Sequence, residues 1–324
     1  MQKVTMALSL AAVLLQNAPP RPGVKTPGAR IPIDRLKPAA VYEVPGSPDW
    51  LAVEHAVWVS NKPKDSVSRL DPTTSAVTAV LPVGRQPCSG LAIGFSSLWV
   101  PTCGDRAIAR VDLITGRIIT TVRVGIGNSE GSIIASDAAI WIITDANGTL
   151  SRIDPTTNRV VAQIALPPGS YGLAFGEGAV WATSTDHDSV IRVDPAANRI
   201  AATIRVARKP RFIAAGHGGV WALSQAEGSV SRIDPRSNQV VATIDVGVPG
   251  PGGDIAVGEG SVWVTSFEFP LSRIDPKTNT VVQQFVGKGG DAVRVGLGSV
   301  WLSNFEAGTV WRLDPRRIEA IRPY

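Results

Sequence analysis

The chain has 324 residues, of which 44% are apolar and 18% are charged, so an intrinsically disordered protein is excluded. The formal net charge is +5 and the pI is about 9.5, a balance typical of proteins that bind nucleic acid or an anionic membrane surface. Because only two Cys and three His are present, cysteine-rich and multi-histidine metal sites are excluded as well.

The first 18 residues combine an early lysine with a long apolar run, a pattern that is typical of a secretory signal peptide. Ala18 suits the position before a cleavage site, but Gln16 and Pro19 do not, which leaves an uncleaved anchor as the alternative. The apolar run is short for a membrane span. We therefore predict an exported protein, periplasmic or secreted, whose mature form has no membrane span.

Residues 19–39 are rich in proline and basic side chains, and this composition predicts a linker. Six of the 32 Lys and Arg residues and one of the 27 Asp and Glu residues precede residue 41. Residues 41–324 therefore carry 26 charges of each sign, and their net charge is zero. Because the positive excess precedes the folded body, we expect no nucleic-acid partner for that body.

A repeat with a period near 40 residues begins after the linker. An apolar residue followed by tryptophan recurs at intervals of 41, 42, 40, 40, 42 and 38 residues, at Trp58, Trp99, Trp141, Trp181, Trp221, Trp263 and Trp301. An Arg-x-Asp triplet follows each tryptophan, starting at Arg69, Arg110, Arg152, Arg192, Arg232, Arg273 and Arg312. A period of this length indicates a repeat architecture.

Each repeat divides into four short segments rich in Val, Ile, Trp and Thr, which are typical of β-strands, and Gly, Pro, Asn and Asp separate them. In the fifth repeat these segments, strands A to D, are RFIAA, VWALS, SVSRID and VVATIDV. Seven four-stranded antiparallel units predict an all-β, seven-bladed β-propeller over residues 40–324. Residues 40–48 resemble a strand D with its connector, so we expect them to complete the last blade; residues 318–322 are the alternative.

The tryptophans and the Arg-x-Asp triplets have structural roles in this architecture. A tryptophan between two neighbouring blades would bury on the order of 200 Å2. The arginine and the aspartate of a triplet lie on the same face of their strand. We expect the arginine to make a cation–π or ion-pair contact and the aspartate to cap the following turn.

An antiparallel blade places the start of strand A, the B–C loop and the end of strand D on one face of the propeller, which is the predicted ligand face. Cys88 begins strand A of the second blade and Cys103 ends its strand B, at equal distances from the hairpin turn. The two residues should therefore lie opposite each other. The sequence predicts a Cys88–Cys103 disulfide, which export would permit.

Residues that differ between blades on the ligand face are the binding candidates, because specificity requires asymmetry. The ligand-binding candidates at strand-A starts and in B–C loops are Trp50, Tyr171, His187, Arg211, Asp254, Phe267 and Phe305. The carboxylates that would form an acidic patch beside Arg211 are Asp254, Glu268, Asp291 and Glu306. Paired carboxylates hold a divalent cation such as Mg2+ or share a proton; the alternative is a set of solvated loop carboxylates.

The repeat units GEGAVWATS, GTLSRIDPTTNRVVAQI and GSVSRIDPRSNQVVATIDVG resemble those of YVTN-type and streptogramin B lyase-type (virginiamycin B lyase-like) propellers over residues 40–324. The resemblance implies seven blades and an Mg-assisted elimination that linearises a cyclic depsipeptide antibiotic. In the lyases, catalytic His residues follow a proline at the start of strand A in late blades; this sequence has Gly253 and Asp291 there. Glu306 matches the family glutamate that follows a blade tryptophan.

Two hypotheses of function follow from these patterns. The first is a monomeric, exported propeller that binds a small molecule or a protein partner on the ligand face without catalysis, since the family histidines are missing. The second, implied by the resemblance, is a carbon–oxygen lyase with Asp291 and Glu306 as catalytic residues and with Asp254, Glu268, Asp291 and Glu306 as Mg2+ ligands. A propeller with a redox cofactor has no docking signature in the sequence.

Overall fold

A ring of seven β-sheets, one for each sequence repeat, is formed by residues 29–247, 252–266 and 269–322, which the computed structural model describes. This architecture confirms the predicted all-β, seven-bladed β-propeller with antiparallel blades. The predicted signal peptide, residues 19–28 of the predicted linker, Phe267 and Glu268 lie outside the described residues.

Most of the 29 described strands pair with their neighbours in sequence. In chain order the first fourteen are β1 (Arg30–Pro32), β2 (Ala40–Glu43), β3 (Ser47–Val53), β4 (Val57–Lys62), β5 (Ser66–Asp71), β6 (Ala76–Pro82), β7 (Ala92–Gly94), β8 (Ser97–Thr102), β9 (Ala107–Asp112), β10 (Ile118–Arg123), β11 (Ile133–Ala135), β12 (Ile140–Ile143), β13 (Thr149–Asp154) and β14 (Arg159–Ala165). The other fifteen are β15 (Ser170–Gly176), β16 (Ala179–Ser184), β17 (Ser189–Asp194), β18 (Arg199–Arg205), β19 (Pro210–Gly216), β20 (Gly219–Ser224), β21 (Ser229–Asp234), β22 (Gln239–Asp245), β23 (Asp254–Gly258), β24 (Ser261–Thr265), β25 (Leu271–Asp275), β26 (Thr280–Val286), β27 (Val293–Gly296), β28 (Ser299–Asn304) and β29 (Thr309–Leu313).

Helical structure is confined, in this part of the chain, to α1 (Pro315–Ala320) and two single 3-10 turns, Ile33–Arg35 and Cys103–Asp105. None of these helices is long and apolar enough to cross a membrane. Each blade begins with its inner strand, namely β3, β7, β11, β15, β19, β23 and β27. Neighbouring inner strands pack on each other around the ring, and β27 of the last blade packs on β3 of the first.

The repeat tryptophans fill the spaces between the blades, and all seven are at most 2% exposed. Five of them donate the indole N–H to the carbonyl oxygen of the glycine five residues earlier, as Trp181 does to Gly176 at 3.0 Å. Arg192 lies over the Trp181 ring at 5.3 Å, and Asp194 accepts hydrogen bonds from the backbone N–H groups of Ala196 and Ala197. Both predicted roles of the triplet are confirmed.

The N-terminal part of the described chain closes the ring. β2 pairs antiparallel with β29, with Tyr42 opposite Val310, and supplies the outer strand of blade seven. The prediction that the segment 40–48 supplies the outer strand of this blade and a connector is confirmed, with the strand at Ala40–Glu43 and blade one beginning at Ser47. The alternative, in which residues 318–322 form that strand, is wrong, because the chain turns into α1 there under a cap provided by Asp314.

Part of the predicted linker packs against the propeller. β1 runs parallel to β26, the outer strand of blade six, with Ile31 opposite Phe285. Ile31 and Leu36 are buried in one apolar cluster with Ile318 of α1. The residues before β2 therefore add a fifth strand to blade six and connect it to the end of blade seven.

The predicted Cys88–Cys103 disulfide is present. It joins the segment before β7 to the end of β8, and the two Cα atoms are 6.0 Å apart. The backbone N–H of Cys88 donates to the carbonyl oxygen of Pro101, and the N–H of Cys103 donates to that of Gln86. The cross-link thus lies within a hairpin whose backbone is already paired.

We expect the double variant Cys88→Ser/Cys103→Ser to lose about 2 kcal/mol of the free energy of unfolding, because the cross-link restricts the unfolded chain. The loop it closes corresponds to a sequence separation of 15. Urea unfolding followed by tryptophan fluorescence measures the loss. The wild type with a reductant serves as the control and should show the same loss; an unchanged unfolding midpoint would contradict the prediction.

Candidate functional site

The predicted ligand face contains a cavity of about 910 Å3, which we call the mouth cavity. Its charged lining residues are Asp49, Lys62, Glu130, Arg211, Lys288, Asp291 and Glu306. A recess of about 40 Å3 shares four of these charged residues and adds Trp50, Phe212 and Asp254. Residues from several blades thus converge on one polar space at the strand-A starts.

Local irregularities of the inner strands decide which side chains reach the cavity. The pairing of β3 with β4 carries a register shift that spans Asp49, and the pairing of β19 with β20 carries one that spans Arg211. A bulge changes the side of the sheet that a residue faces. β23 has no such shift, and its first residue, Asp254, is buried.

Lys62 connects two carboxylates of the mouth cavity. Its Nζ lies 3.7 Å from Oδ2 of Asp49 and 3.5 Å from Oε1 of Glu130. Burial opposes the charge of Lys62, but the two carboxylates outweigh this effect and hold its pKa above the ordinary value. Glu130 continues the chain of charges, since its Oε2 lies 3.9 Å from Nη2 of Arg211.

Arg211 is held between aromatic rings. Its guanidinium carbon lies 4.8 Å from the ring centroid of Tyr171 and 4.9 Å from that of Phe212, in cation–π geometry. Its Nη1 donates to Oε1 of Gln225 at 3.3 Å. Its buried Nε–H has no acceptor among the described residues. The structure therefore brings the two candidates Arg211 and Tyr171 together and leaves one donor of Arg211 unpaired.

Asp291 differs from Asp49 and Glu130, the two carboxylates of the cavity that pair with Lys62. Within the described residues, its carboxyl group has no hydrogen bond and no ion pair, and only its backbone carbonyl accepts a bond, from Oγ1 of Thr265. Burial, followed by repulsion from Asp49, Asp254 and Glu130, raises the pKa of Asp291 to about 7. Asp291 can therefore carry a proton near neutral pH.

Asp49 also has a raised pKa, but less so than Asp291. Burial and then the charge of Glu130 raise the pKa of Asp49 to about 6, although Lys62 opposes the shift. The Asp49 carboxylate is mostly ionised at neutral pH, whereas that of Asp291 is close to half ionised. Two neighbouring carboxyl groups with different pKa values divide the roles of hydrogen-bond acceptor and donor.

Asp254 lies beneath the cavity in a buried ion pair. Its Oδ2 accepts from Nη1 of Arg294 and from the backbone N–H of Val293, and its Oδ1 accepts from the N–H of Ile255. Burial raises the pKa of Asp254, and Arg294 opposes the shift. Its side chain is 5% exposed, so this carboxylate ties blades six and seven together.

Trp50 closes the recess from blade one. It is 4% exposed, and its ring lies edge-on to Phe212 at 6.0 Å. Its backbone N–H donates to Oγ of Ser60 at 2.9 Å. The indole N–H is buried and has no acceptor among the described residues. Trp50 and Arg211, each with one buried N–H group that lacks an acceptor among the described residues, thus line the same recess.

The remaining candidates lie in different places. Phe305 and Glu306 line the mouth cavity. Phe267 and Glu268 are outside the described residues. The described lining of the cavity does not include His187, an exposed residue whose Nδ1 lies 3.1 Å from Oγ of Ser184.

The described donors do not fit a divalent cation such as Mg2+. In residues 29–247, 252–266 and 269–322, no three His, Cys, Asp or Glu side chains are grouped so that they could hold a metal ion. Asp254 is already bound to Arg294, and the ammonium group of Lys62 lies between Asp49 and Glu130. Lys62 thus supplies positive charge where a metal would otherwise bridge the carboxylates.

Four charged lining residues were missed by sequence reasoning: Asp49, Lys62, Glu130 and Lys288. Asp49 lies nine residues before Trp58, the same offset as Asp254 before Trp263, and this signal was present in the sequence. Glu130 belongs to the connector between β10 and β11, which follows no repeat pattern. Lys62 ends β4 and carries no distinguishing signal of its own.

The fold is similar to that of two solved lyases. A streptogramin B lyase structure matches with a TM-score of 0.67 and 18% sequence identity, over 85% of this chain and 97% of the lyase chain. Virginiamycin B lyase from Staphylococcus aureus matches with a TM-score of 0.69 and 17% identity, over 85% and 98% of the two chains. No protein-family model and no curated protein matches the sequence. The chain therefore shares the seven-bladed fold of these lyases.

Proposed function

We propose that this protein binds a small molecule in the mouth cavity and that Asp291 anchors it. The observation that supports this most strongly is the half-buried Asp291 carboxyl group, which lines the cavity without a partner among the described residues. Partial burial of a carboxylate without a partner costs free energy in the unliganded protein. A ligand that supplies the missing hydrogen bond removes this cost.

The unpaired donors of the recess indicate what the ligand carries. The N–H groups of Trp50 and Arg211 require an acceptor, and a carbonyl oxygen is small enough for a recess of about 40 Å3. Asp291 can accept from an N–H or O–H group when ionised and donate when protonated. We therefore propose an amide or ester ligand with an adjacent N–H or O–H group.

Ligand-observed NMR with a set of small amides, esters and amines tests this proposal. We expect the amides and esters to bind the wild type, and we expect their affinity for Asp291→Asn to be at least tenfold lower. Asp186→Asn, which changes an exposed carboxylate in the β16–β17 loop, is the matched control and should bind as the wild type does. Absence of binding, or equal binding to both variants, would refute the proposal.

A second candidate function is a proton-transfer lyase, which the pKa of about 7 at Asp291 favours. A general base works best when its pKa lies near the working pH. Asp291 would take a proton from the carbon next to a carbonyl group. A carbon–carbon double bond would form as the β carbon–oxygen bond breaks, and the oxygen would leave with the electron pair. No step requires water.

Incubation with virginiamycin B, with and without Mg2+, tests the second candidate, because one similar structure is a virginiamycin B lyase. Chromatography with fragmentation mass spectrometry separates the possible products. A ring-opened isomer of unchanged mass would support elimination. Unchanged substrate, or a product that has gained one water, would remove the lyase as a candidate.

We also propose that the protein is exported and acts as a monomer. The apolar run in residues 1–18 and the Cys88–Cys103 disulfide support export, because disulfides persist in oxidising compartments. The closed ring supports a monomer, since closure leaves only short strand edges. Cell fractionation tests export, and the mass of the released protein in solution tests whether it is a monomer.

A further inference from the structure

Five of the seven strand-C arginines connect their blade to the next on the face opposite the mouth cavity. Arg110, Arg192 and Arg232 each donate from Nη1 to a proline carbonyl oxygen and an asparagine Oδ1 in the C–D turn of the following blade. Arg152 reaches only the asparagine of that turn, and Arg312 reaches only the proline carbonyl. We call this contact the interblade latch. Its acceptors are neutral oxygens of an Asp-Pro-x-x-Asn or similar turn.

Two of the seven arginines depart from this pattern, and only one of them is compensated. Arg273 of blade six donates to Oε1 of Glu319 at 2.8 Å, since α1 replaces the turn of blade seven. Among the described residues, the guanidinium group of Arg69 has no acceptor. Its side chain contacts the Trp58 ring at 5.8 Å.

The sequence of the neighbouring turn accounts for one of the two acceptors that Arg69 lacks, namely the asparagine side chain. The turn of blade two reads Asp-Leu-Ile-Thr-Gly over residues 112–116, so Gly116 takes the place of the asparagine. Gly116 has the left-handed conformation, with φ 67°, that the latch asparagines also adopt, for example Asn158 with φ 57°. The backbone conformation at this position is therefore retained, but the asparagine acceptor is absent and, within the described part of the chain, Arg69 makes no hydrogen bond to a carbonyl oxygen of the turn either.

An open cavity of about 320 Å3 lies at this incomplete latch. Its lining includes Arg69, Trp58, Glu54, His55, Leu113 and Ile114. Ile114 is 87% exposed, so a large apolar side chain faces solvent beside an unpaired guanidinium group. The site combines a cationic hydrogen-bond donor with an apolar wall.

We propose that this cavity docks a proline-containing turn of a partner protein, of the Pro-x-x-Asn type. The carbonyl oxygen of its proline and the side-chain oxygen of its asparagine would complete the latch of Arg69, as the turns of the chain do for the other arginines. The turn would also cover Leu113 and Ile114. A neutral acceptor fits better than a carboxylate, because Glu54 contributes negative charge to the same cavity. This site is independent of the ligand proposed for the mouth cavity.

A pentapeptide tests the proposal, namely acetyl-Asp-Pro-Thr-Thr-Asn-amide, which copies residues 154–158. The side-chain Nε–H resonances of the arginines are followed by NMR during a titration of the full chain. We expect a saturable shift at Arg69 and none at Arg192, whose latch is occupied. The same peptide with alanine in place of asparagine should bind at least tenfold more weakly. Equal shifts with both peptides, or no shift at Arg69, would overturn the proposal.

Two variants complete the test. Gly116→Asn should supply the missing acceptor within the chain and weaken peptide binding at least tenfold, since asparagine tolerates the left-handed conformation. Its Cβ would meet only the flexible end of Leu81, at 3.0 Å. Arg69→Gln should abolish the shift of the neighbouring indole N–H of Trp58, whereas Arg236→Gln, an exposed arginine in another turn, should leave it unchanged. Wild-type affinity in Gly116→Asn or in Arg69→Gln would overturn the proposal.

Discussion

Replacing Arg294 with Met is expected to lower the free energy of unfolding by about 3–5 kcal/mol at pH 8, because it leaves the buried carboxylate of Asp254 without its counter-charge. Asp254 keeps two backbone N–H donors, those of Ile255 and Val293, but these alone do not neutralise a full charge. Methionine retains the length of the arginine stem, so the loss reports the charge and not a cavity. Urea unfolding measures it.

The pH dependence distinguishes this explanation from a general loss of packing. Burial already raises the pKa of Asp254, and removal of Arg294 should raise it further. An acid whose pKa is higher in the folded than in the unfolded chain costs stability as the pH rises and the group ionises. The destabilisation of Arg294→Met should therefore be smaller at pH 5 than at pH 8.

The double variant Arg294→Met/Asp254→Asn provides the control. Removing both charges leaves no uncompensated ion, and a neutral pair in place of a buried ion pair is often tolerated. We expect the double variant to recover most of the stability lost by Arg294→Met. A double variant that is no more stable than the single variant would show that the ion pair is not the cause.

The fold was predictable because each repeat contains the same strand, turn and tryptophan pattern. The tryptophan of every repeat fills an interblade space, and the aspartate of every triplet caps a turn, so seven similar sequences specify seven similar blades. Closure by residues 40–48 was predictable for the same reason, since that segment carries the pattern of an outer strand. Repetition turns weak local preferences into a strong joint signal.

The mouth cavity was only partly predictable, because it depends on what differs between the blades. Asp49 and Asp254 occupy the same offset from their blade tryptophans. The register shift in β3 lets Asp49 line the cavity, whereas β23 continues without a shift and its Asp254 is held by Arg294. The number of residues between a candidate and its blade tryptophan gives the position of that candidate along its strand. It does not reveal a bulge, which reverses the direction of the side chain.

The charges of the mouth cavity explain why a metal is not required to bring carboxylates together there. The positive charge of Lys62 offsets the repulsion between the carboxylates of Asp49 and Glu130. Arg211 adds a second positive charge beside Glu130. Neither of them forms an ion pair with the carboxyl group of Asp291 within the described residues. Its proton, rather than a cation, therefore balances its charge near neutral pH.

The variant Asp291→Asn is expected to be more stable than the wild type by roughly 4 kcal/mol at pH 8, because each unit by which a pKa is raised corresponds to about 1.4 kcal/mol. The pKa of Asp291 is about 7 in the folded protein, and it is about 3.9 in an unfolded chain. The folded wild type therefore loses stability as the pH rises from about 4 to about 7, and asparagine removes this loss. Because no hydrogen bond of the carboxyl group is lost, the gain is not offset.

The free energy of unfolding of both proteins, measured at pH 4 and at pH 8, tests whether Asp291→Asn stabilises the fold. The two proteins should differ little at pH 4, where Asp291 is protonated, and most at pH 8. Asp194→Asn is a control with the opposite expected effect. Backbone hydrogen bonds lower the pKa of the Asp194 carboxyl group, so replacing it should destabilise the protein at pH 8. A variant Asp291→Asn that is less stable than the wild type at pH 8 would mean that the carboxylate has a partner. A gain in stability together with a loss of ligand affinity would show that the binding site is maintained at the expense of the fold.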